Sequence, residues 1–243
     1  MTMRPDDTSP APRVEACGDV WVMVDWLSHP DANAAARKLA ARLRAEPQDF
    51  AAEAVPGLRT LAVRLRLPPL DAPKGSRGRG REAALRWLED NAAQAHTWEL
   101  PKGREVRLPA CYAAELAPDL ECVAEDTGLD TTDVIAKHLA SVFQVEVIGF
   151  MPGFAYLGGL DSSLALPRRS SPRPRVPEGS IAIAGTQSAV YPSDSPGGWH
   201  LIGRCPLRLF DPLRAPPGLL REGDQVQFER IGLETFARLW SQR

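Results

Sequence analysis

Residues 149–212 read GFMPGFAYLGGLDSSLALPRRSSPRPRVPEGSIAIAGTQSAVYPSDSPGGWHLIGRCPLRLFDP, and this stretch decides the fold. Its sixty-four positions hold nine glycines and nine prolines, where average usage would place roughly eight of the two together. Such density excludes long helices and predicts short strands joined by tight, rigid loops, as in a β-barrel or a sandwich. Residues 180–184, 189–191 and 199–204 carry the strand patterns within it. Another strand, 225–231, follows the turn Arg221-Glu222-Gly223-Asp224.

Outward from this block, residues 106–112 and 142–150 read as strands. Pro118 and Asp119 open a short helix that Gly128 closes, and Asp130 or Thr131 caps a second over 133–139. Before residue 100 the texture is different. Val20, Val22, Val24 and Trp26 alternate as a strand, and Leu61, Val63, Leu65 and Leu67 do the same. Ala32, Ala35, Leu39 and Leu43 recur at helical spacing, as do Leu85, Leu88 and Ala92. The chain is therefore α+β: a disordered tail over 1–13, a small α+β domain over 14–102 and a β domain over 103–235. The basic stretch Lys74, Arg77, Arg79 and Arg81 reads as a flexible solvated loop, because prolines at 68, 69 and 73 keep any strand from feeding a dinucleotide turn there.

Composition narrows the function. The 243 residues are 44% hydrophobic and 25% charged, ordinary for a globular chain able to bury a core. Twenty-nine basic against thirty-one acidic residues leave a charge of -2, which argues against a nucleic-acid partner. No apolar run reaches membrane-spanning length and the start lacks a signal-peptide core, so no membrane partner is expected and the expected location is cytoplasmic. Cys17, Cys111, Cys122 and Cys205 show no paired spacing and read as buried thiols. The histidines are scattered, with no metal-ligand pattern, so no tightly bound metal is expected.

Three motifs, GFMPGFAYLGGL (149–160), PRRSSPRPRVPEGSIAIAGTQ (167–187) and YPSDSPGGWHLIGRCPLRLFDP (191–212), resemble the KipI/PxpB family, which comprises the B subunits of 5-oxoprolinase and is also called allophanate hydrolase subunit 1. VEACGDVWVMV (14–24), EAVPGLRTLAV (53–63) and LPACYAAELAPDLECVAEDTGLDTTDVIAKH (108–138) resemble its earlier segments in the same order. The resemblance implies a cyclophilin-like β-barrel after the α+β domain. It implies an ATP-dependent hydrolysis of 5-oxoproline to glutamate, with ATP (and magnesium) held at a site that partner subunits share. The implied partners are a second, KipA-like barrel protein and a LamB/YcsF-type protein. Two alternatives come with the family: a KipI-type inhibitor of a histidine kinase, and half of an allophanate hydrolase or urea carboxylase-type complex. The chain departs from the family at Ala113 and Ala114, where paired glycines are usual, at Phe143 for tyrosine, and at Ser188-Ala189 for Thr-Gly.

Opening a lactam needs cations for carboxylate and phosphate and an acid/base group near the amide. The resemblance marks His138 as that acid/base residue, against a core role beside Val134 and Ile135. It marks Arg204 as a second catalytic residue. Arg168 and Arg173, in a proline-stiffened segment, suit oxyanion binding by their guanidinium forks, with surface ion pairing as the alternative. Gln187 and Tyr191 could offer directional hydrogen bonds, or merely pack the barrel. Ser195 and Trp199 belong to a rigid wall, with Ser195 lacking the surroundings of a nucleophile. The loop 149–159, with Phe150, Phe154 and Tyr156, is expected to close over a pocket or dock a partner.

Overall fold

The computed structural model describes residues 11–27, 29–68, 73, 75–100 and 102–243, and these fall into two compact units that divide between residues 101 and 102. Most of the expected disordered tail, residues 1–10, lies outside the described residues, but Arg13 is no part of a tail: it begins the first strand.

The first unit runs β1 (Arg13–Cys17), β2 (Trp21–Asp25), α1 (Ala32–Ala45), β3 (Ala51–Pro56), β4 (Thr60–Leu65) and α2 (Ser76–Gln94). The strands form an antiparallel sheet in the order β1-β2-β4-β3. Alternation puts Val22, Val24, Leu61, Val63 and Leu65 on one face, where they meet Ala35, Leu39 and Leu43 of α1 and Ala84, Leu88 and Ala92 of α2. β1 and β3 give only a weak periodicity signal, because these edge strands bury few large side chains: Val14 of β1 and Ala51 and Ala54 of β3 pack only partly on the core.

The basic stretch expected to be a loop is helical from Ser76, so α2 begins two turns earlier than the apolar spacing indicates. Gly78 and Gly80 each weaken a helix interior by about 1 kcal/mol. Offsetting bonds come from Arg77 Nη1 to the Pro68 carbonyl (2.8 Å) and from Arg81 to the carbonyl of Asp19. Lys74 lies outside the described residues.

The second unit, Lys102–Arg243, opens with β5 (Glu105–Ala110), α3 (Leu120–Thr127) and α4 (Thr131–Ala140). Then follow β6 (Phe143–Ile148), β7 (Ala155–Gly158), β8 (Arg173–Val176), β9 (Ser180–Ala184) and β10 (Gln187–Val190). β11 (Ser195–Gly197), β12 (His200–Arg204), β13 (Gln225–Arg230) and α5 (Leu233–Ser241) complete it. Asp130 accepts from the Asp133 amide and Gly128 ends α3, as the sequence predicts. α5 crosses the expected boundary at 235 and belongs to this unit.

Seven strands pair in the order β12-β9-β10-β7-β6-β13-β5. Cys111, directly after β5, exchanges both backbone hydrogen bonds with Arg204 at the end of β12 (2.8 and 2.9 Å), which joins the two edges into a barrel. Gly203 permits that closure, since a Cβ there would stand 2.9 Å from the Cys111 carbonyl oxygen. The α+β architecture with a barrel is therefore present. Leu108, Phe143, Val145, Leu157, Ile181, Ile183, Ile202, Val226 and Phe228 fill its interior.

β9 is buried on both faces. Ile181 and Ile183 face the interior, while Ala182 and Ala184 underlie a second cluster with Phe154, Val176, Tyr191, Trp199 and Leu201. The two-stranded ribbon β8–β11 contributes Val176 to that cluster.

The cysteine expectation is half corrected. All four are free, but only Cys111 and Cys205 are buried; Cys17 and Cys122 are exposed. Among the described residues, no helix is long and apolar enough to cross a membrane.

Candidate functional site

Most of the residues expected to bind substrate gather on the outer face of β9 and β10. Tyr191 and Trp199 are buried there around Phe154, whose ring meets both edge-on with centroids 5.3 and 6.0 Å apart. Half-buried Tyr156 completes the aromatic surface 6.0 Å from Trp199. Arg168 is exposed and reaches over the Trp199 ring, with its guanidinium carbon 5.9 Å from the centroid. Burial raises the Tyr191 phenol above its ordinary range, with Arg168 and Arg173 pulling the other way. Gln187 donates through Nε2 to Oε2 of Glu146 (2.7 Å), so its amide is already turned toward a carboxylate.

The four arginines of the 168–175 segment separate by partner. Arg175 pairs with Asp194 in the open. Arg169 and Arg173 both donate to Oδ1 of Asp119, at 3.1 and 2.5 Å. Arg168 has no ion pair among the described residues. Asp119 was legible only as the opener of α3, yet its side chain caps nothing. Instead its Oδ2 accepts from the Leu201 amide (2.6 Å), and the group is only 2% exposed. The ribbon brings in Ser195, which pairs with Val176, and Gly197, which pairs with Arg173.

Gly197 is a close approach of backbone to ring. A Cβ there would lie 2.3 Å from the Tyr191 hydroxyl oxygen and 3.1 Å from a Val176 methyl. Because Tyr191 is buried against Phe154, it cannot swing aside. Gly197→Ala is expected to cost about 1–3 kcal/mol by overpacking, read as a lower midpoint in denaturant; an unchanged midpoint would show that Tyr191 is not held there.

His138 is placed elsewhere. It projects from α4 into the barrel interior, completely buried among Tyr112, Phe143 and Phe228. Ser188 donates its hydroxyl to the Ala182 carbonyl (3.2 Å), which leaves its oxygen to accept from His138 Nε2–H (3.0 Å). Nδ1 is then the acceptor for the Tyr112 hydroxyl (2.8 Å). Burial lowers the His138 pKa to about 3, so the ring is neutral at ordinary pH. On one side the chain of bonds ends at the Ala182 carbonyl, and on the other at the Tyr112 hydroxyl. The arrangement holds Tyr112, Ser188 and the ring in place. Tyr112 itself borders a cavity of about 380 Å³ shared with Leu120, Glu121, Thr131, Ile135 and Arg230.

Arg204 keeps other company as well. Its Nε donates to the Glu178 carbonyl (2.8 Å), and its guanidinium lies over Trp240 of α5, 4.3 Å from the ring centroid. Arg243 lies over the same ring at 3.8 Å. Burial, and then Arg243, lower the Arg204 pKa. These contacts fasten α5 to the barrel, so the two residues expected to be catalytic do not meet each other or the arginine–aromatic face.

The loop before β7 presents Phe150 to solvent. Its φ is +69°, the only positive value on a non-glycine among the described residues, and the residue stays 64% exposed with its ring edge-on to Phe154.

Relatives locate this architecture. The chain is 48% identical over 151 residues to the 5-oxoprolinase B subunit of Bacillus subtilis (strain 168), a match covering 62% of each chain and so less than two-thirds of the Bacillus protein. It is 42% identical over 179 residues to the protein of that name from Escherichia coli O157:H7, covering 72% of this chain and 76% of that one. The solved structure of the K. lactis urea amidolyase superposes on 98% of this chain and 16% of its own, with a TM-score of 0.72 at 20% identity, a likeness of fold. The family model described as "Carboxyltransferase domain, subdomain C and D" matches residues 12–220. With most of the barrel and the preceding α+β unit inside that match, the chain belongs to the family of carboxyltransferase domains, subdomain C and D.

Proposed function

We propose that this chain is the B subunit of an ATP-dependent 5-oxoprolinase, which hydrolyses 5-oxoproline to glutamate together with partner subunits. The observation that carries the reading is the 42% identity to a 5-oxoprolinase B subunit over 76% of that protein's length. The urea carboxylase-type alternative is weaker: it rests on 24% identity over 137 residues to the "Putative urea carboxylase" of Emericella nidulans, 11% of that protein, and on a likeness of fold at 20% identity, and fold alone carries no reaction.

The arginine–aromatic face suits a small cyclic amide bearing a carboxylate. Half-buried Tyr156, backed by buried Trp199, offers apolar surface, Arg168 offers a cation without a competing ion pair, and the Gln187–Glu146 pair offers polar groups for an amide. An amide resists water, and ATP would supply the activation by phosphorylating the amide oxygen. Of such a nucleotide the residues fit the phosphate end: Arg169 Nε and Arg173 Nη1 are buried N–H groups without an acceptor. His138 serves this reading by position, holding Tyr112 and β10, and Arg204 serves it by seating α5. The partners we propose are the KipA-like barrel protein and the LamB/YcsF-type protein.

The test is glutamate release from 5-oxoproline and ATP by the chain alone and by the chain reconstituted with both partners. Activity is expected only in the full mixture. There, Arg168→Ala should lower kcat/KM by about ten- to a hundredfold, as loss of a charged contact does. A complex that assembles on gel filtration but releases no glutamate would sink the reading. Full activity in Arg168→Ala would remove the substrate from this face.

A further inference from the structure

Four buried polar atoms on the two segments that bond to Asp119 have no partner: Arg169 Nε, Arg173 Nη1, Ser195 Oγ and His200 Nδ1. Ser195 and His200 are each only 8% exposed. The four come from two segments that are tied together. The Arg169 amide donates to the Gly198 carbonyl (2.8 Å), His200 Nε2–H donates to the Pro167 carbonyl (2.9 Å), and Gly197 pairs with Arg173. Both segments are fixed to Asp119, which exchanges hydrogen bonds with Leu201 and receives both guanidinium groups.

The cluster has a definite chemistry. Two guanidinium groups against one carboxylate leave a net positive charge. Asp119 engages one edge of each arginine, so the remaining N–H groups are held at fixed positions before any ligand arrives. A buried charged donor left unmatched is costly, and native structures fill such gaps with water or an ion. Ser195 can donate as well. His200 differs: with Nε2–H committed to Pro167, its Nδ1 is an acceptor.

We propose that this cluster is a binding site for a tetrahedral oxyanion of the phosphate class, held by Arg169, Arg173 and Ser195, with an acidic O–H of the anion donated to His200 Nδ1. Donors from two separate arginines and a hydroxyl require oxygens pointing in several directions. A tetrahedral anion has them; a planar carboxylate has two in one plane. Hydrogenphosphate also carries the proton that His200 can accept, and sulfate at neutral pH does not. The site deepens the reading of an ATP-using enzyme, since it adjoins the Trp199 face through the neighbouring residues 168 and 200, but its test needs no turnover and no partner.

The experiment titrates the chain with inorganic phosphate at constant ionic strength, following the phosphorus resonance linewidth and the thermal midpoint, with sulfate and acetate in parallel. Saturable binding is expected, tightest for phosphate, weaker for sulfate and weakest for acetate. Arg169→Gln and the conservative Ser195→Ala should each weaken phosphate at least tenfold. Arg175→Gln, on the exposed Asp194 pair, should leave it unchanged. No saturable phosphate binding, acetate binding as tight as phosphate, or an equal loss in Arg175→Gln would each overturn the site. If phosphate binds as described while the reconstituted complex releases no glutamate, the oxyanion site stands and the 5-oxoprolinase reading falls.

Discussion

Asp119→Ala is expected to destabilise the barrel unit by about 3–5 kcal/mol, the range found when one member of a buried ion pair is removed. The carboxylate is 2% exposed and uses both oxygens: Oδ1 for Arg169 and Arg173, Oδ2 for the Leu201 amide. Truncation strands two guanidinium groups, which keep side-chain exposures of only 33% and 23%, and the buried peptide N–H of Leu201 near the start of β12. Water can reach the arginines in part, so the loss sits within that range and not above it. Asp119→Asn separates the contributions, because an amide oxygen can still accept from Leu201 while the charge is gone. Its loss should be smaller, by the part the amide bond accounts for, about 1 kcal/mol. Urea denaturation of the two variants checks both statements. Equal midpoints for wild type and Asp119→Ala would mean that the arginines find other acceptors and that the cluster is not held as described.

Much of this fold is legible in the sequence because it rests on local rules. Val22/Val24 and Leu61/Val63/Leu65 alternate since one face of their sheet is buried, and Asp130 and Gly128 mark helix ends by their own conformational chemistry. β1 and β3 carry little such signal, because these edge strands turn mainly small or partly buried side chains to the core. The first turns of α2 are hidden by Gly78 and Gly80, which read as loop; carbonyl groups outside the helix, of Pro68 and of the far-off Asp19, are what their neighbouring arginines bind. Long-range partners are likewise why the site is only half legible. The arginines and the aromatic residues stand out in the motifs, and Arg168, Tyr191 and Trp199 do come together. Nothing local says that Arg173 is committed to a carboxylate fifty-four positions upstream, or that Arg204 lies on a tryptophan of α5. His138 is open, in the sequence, between an acid/base role and packing beside Val134 and Ile135. Spacing cannot decide, because the deciding facts are Tyr112, Ser188 and Phe228 on other elements.

The stability of the chain should fall in mild acid because of that same histidine. In the unfolded chain the imidazole takes up a proton as pH drops through its ordinary value of 6.5, whereas burial holds the folded-state pKa down to about 3. Between these values the unfolded state binds more protons, so acidification favours unfolding, by up to about 1.4 kcal/mol per pH unit. The neutral-histidine contribution is fully present above 6.5 and is lost progressively toward 3. From pH 6.5 to 4.5 the loss from this one group is roughly 2–3 kcal/mol, a large part of a typical domain's stability. His138→Gln isolates it, because glutamine can occupy much of the same space without titrating. At pH 7.5 the variant should be the less stable, through imperfect bonds to Tyr112 and Ser188. The wild-type advantage should shrink as pH falls, and reverse if it starts smaller than the loss on titration. His138→Ala should lose about 3–5 kcal/mol at pH 7.5, combining a cavity among aromatic rings with a stranded Tyr112 hydroxyl. Chemical denaturation of wild type and His138→Gln at pH 7.5, 6 and 4.5 decides the matter. Groups common to both proteins cancel in the difference, so parallel curves would mean that His138 titrates as a solvated imidazole, and the buried bond chain from Tyr112 to Ala182 would have to be abandoned.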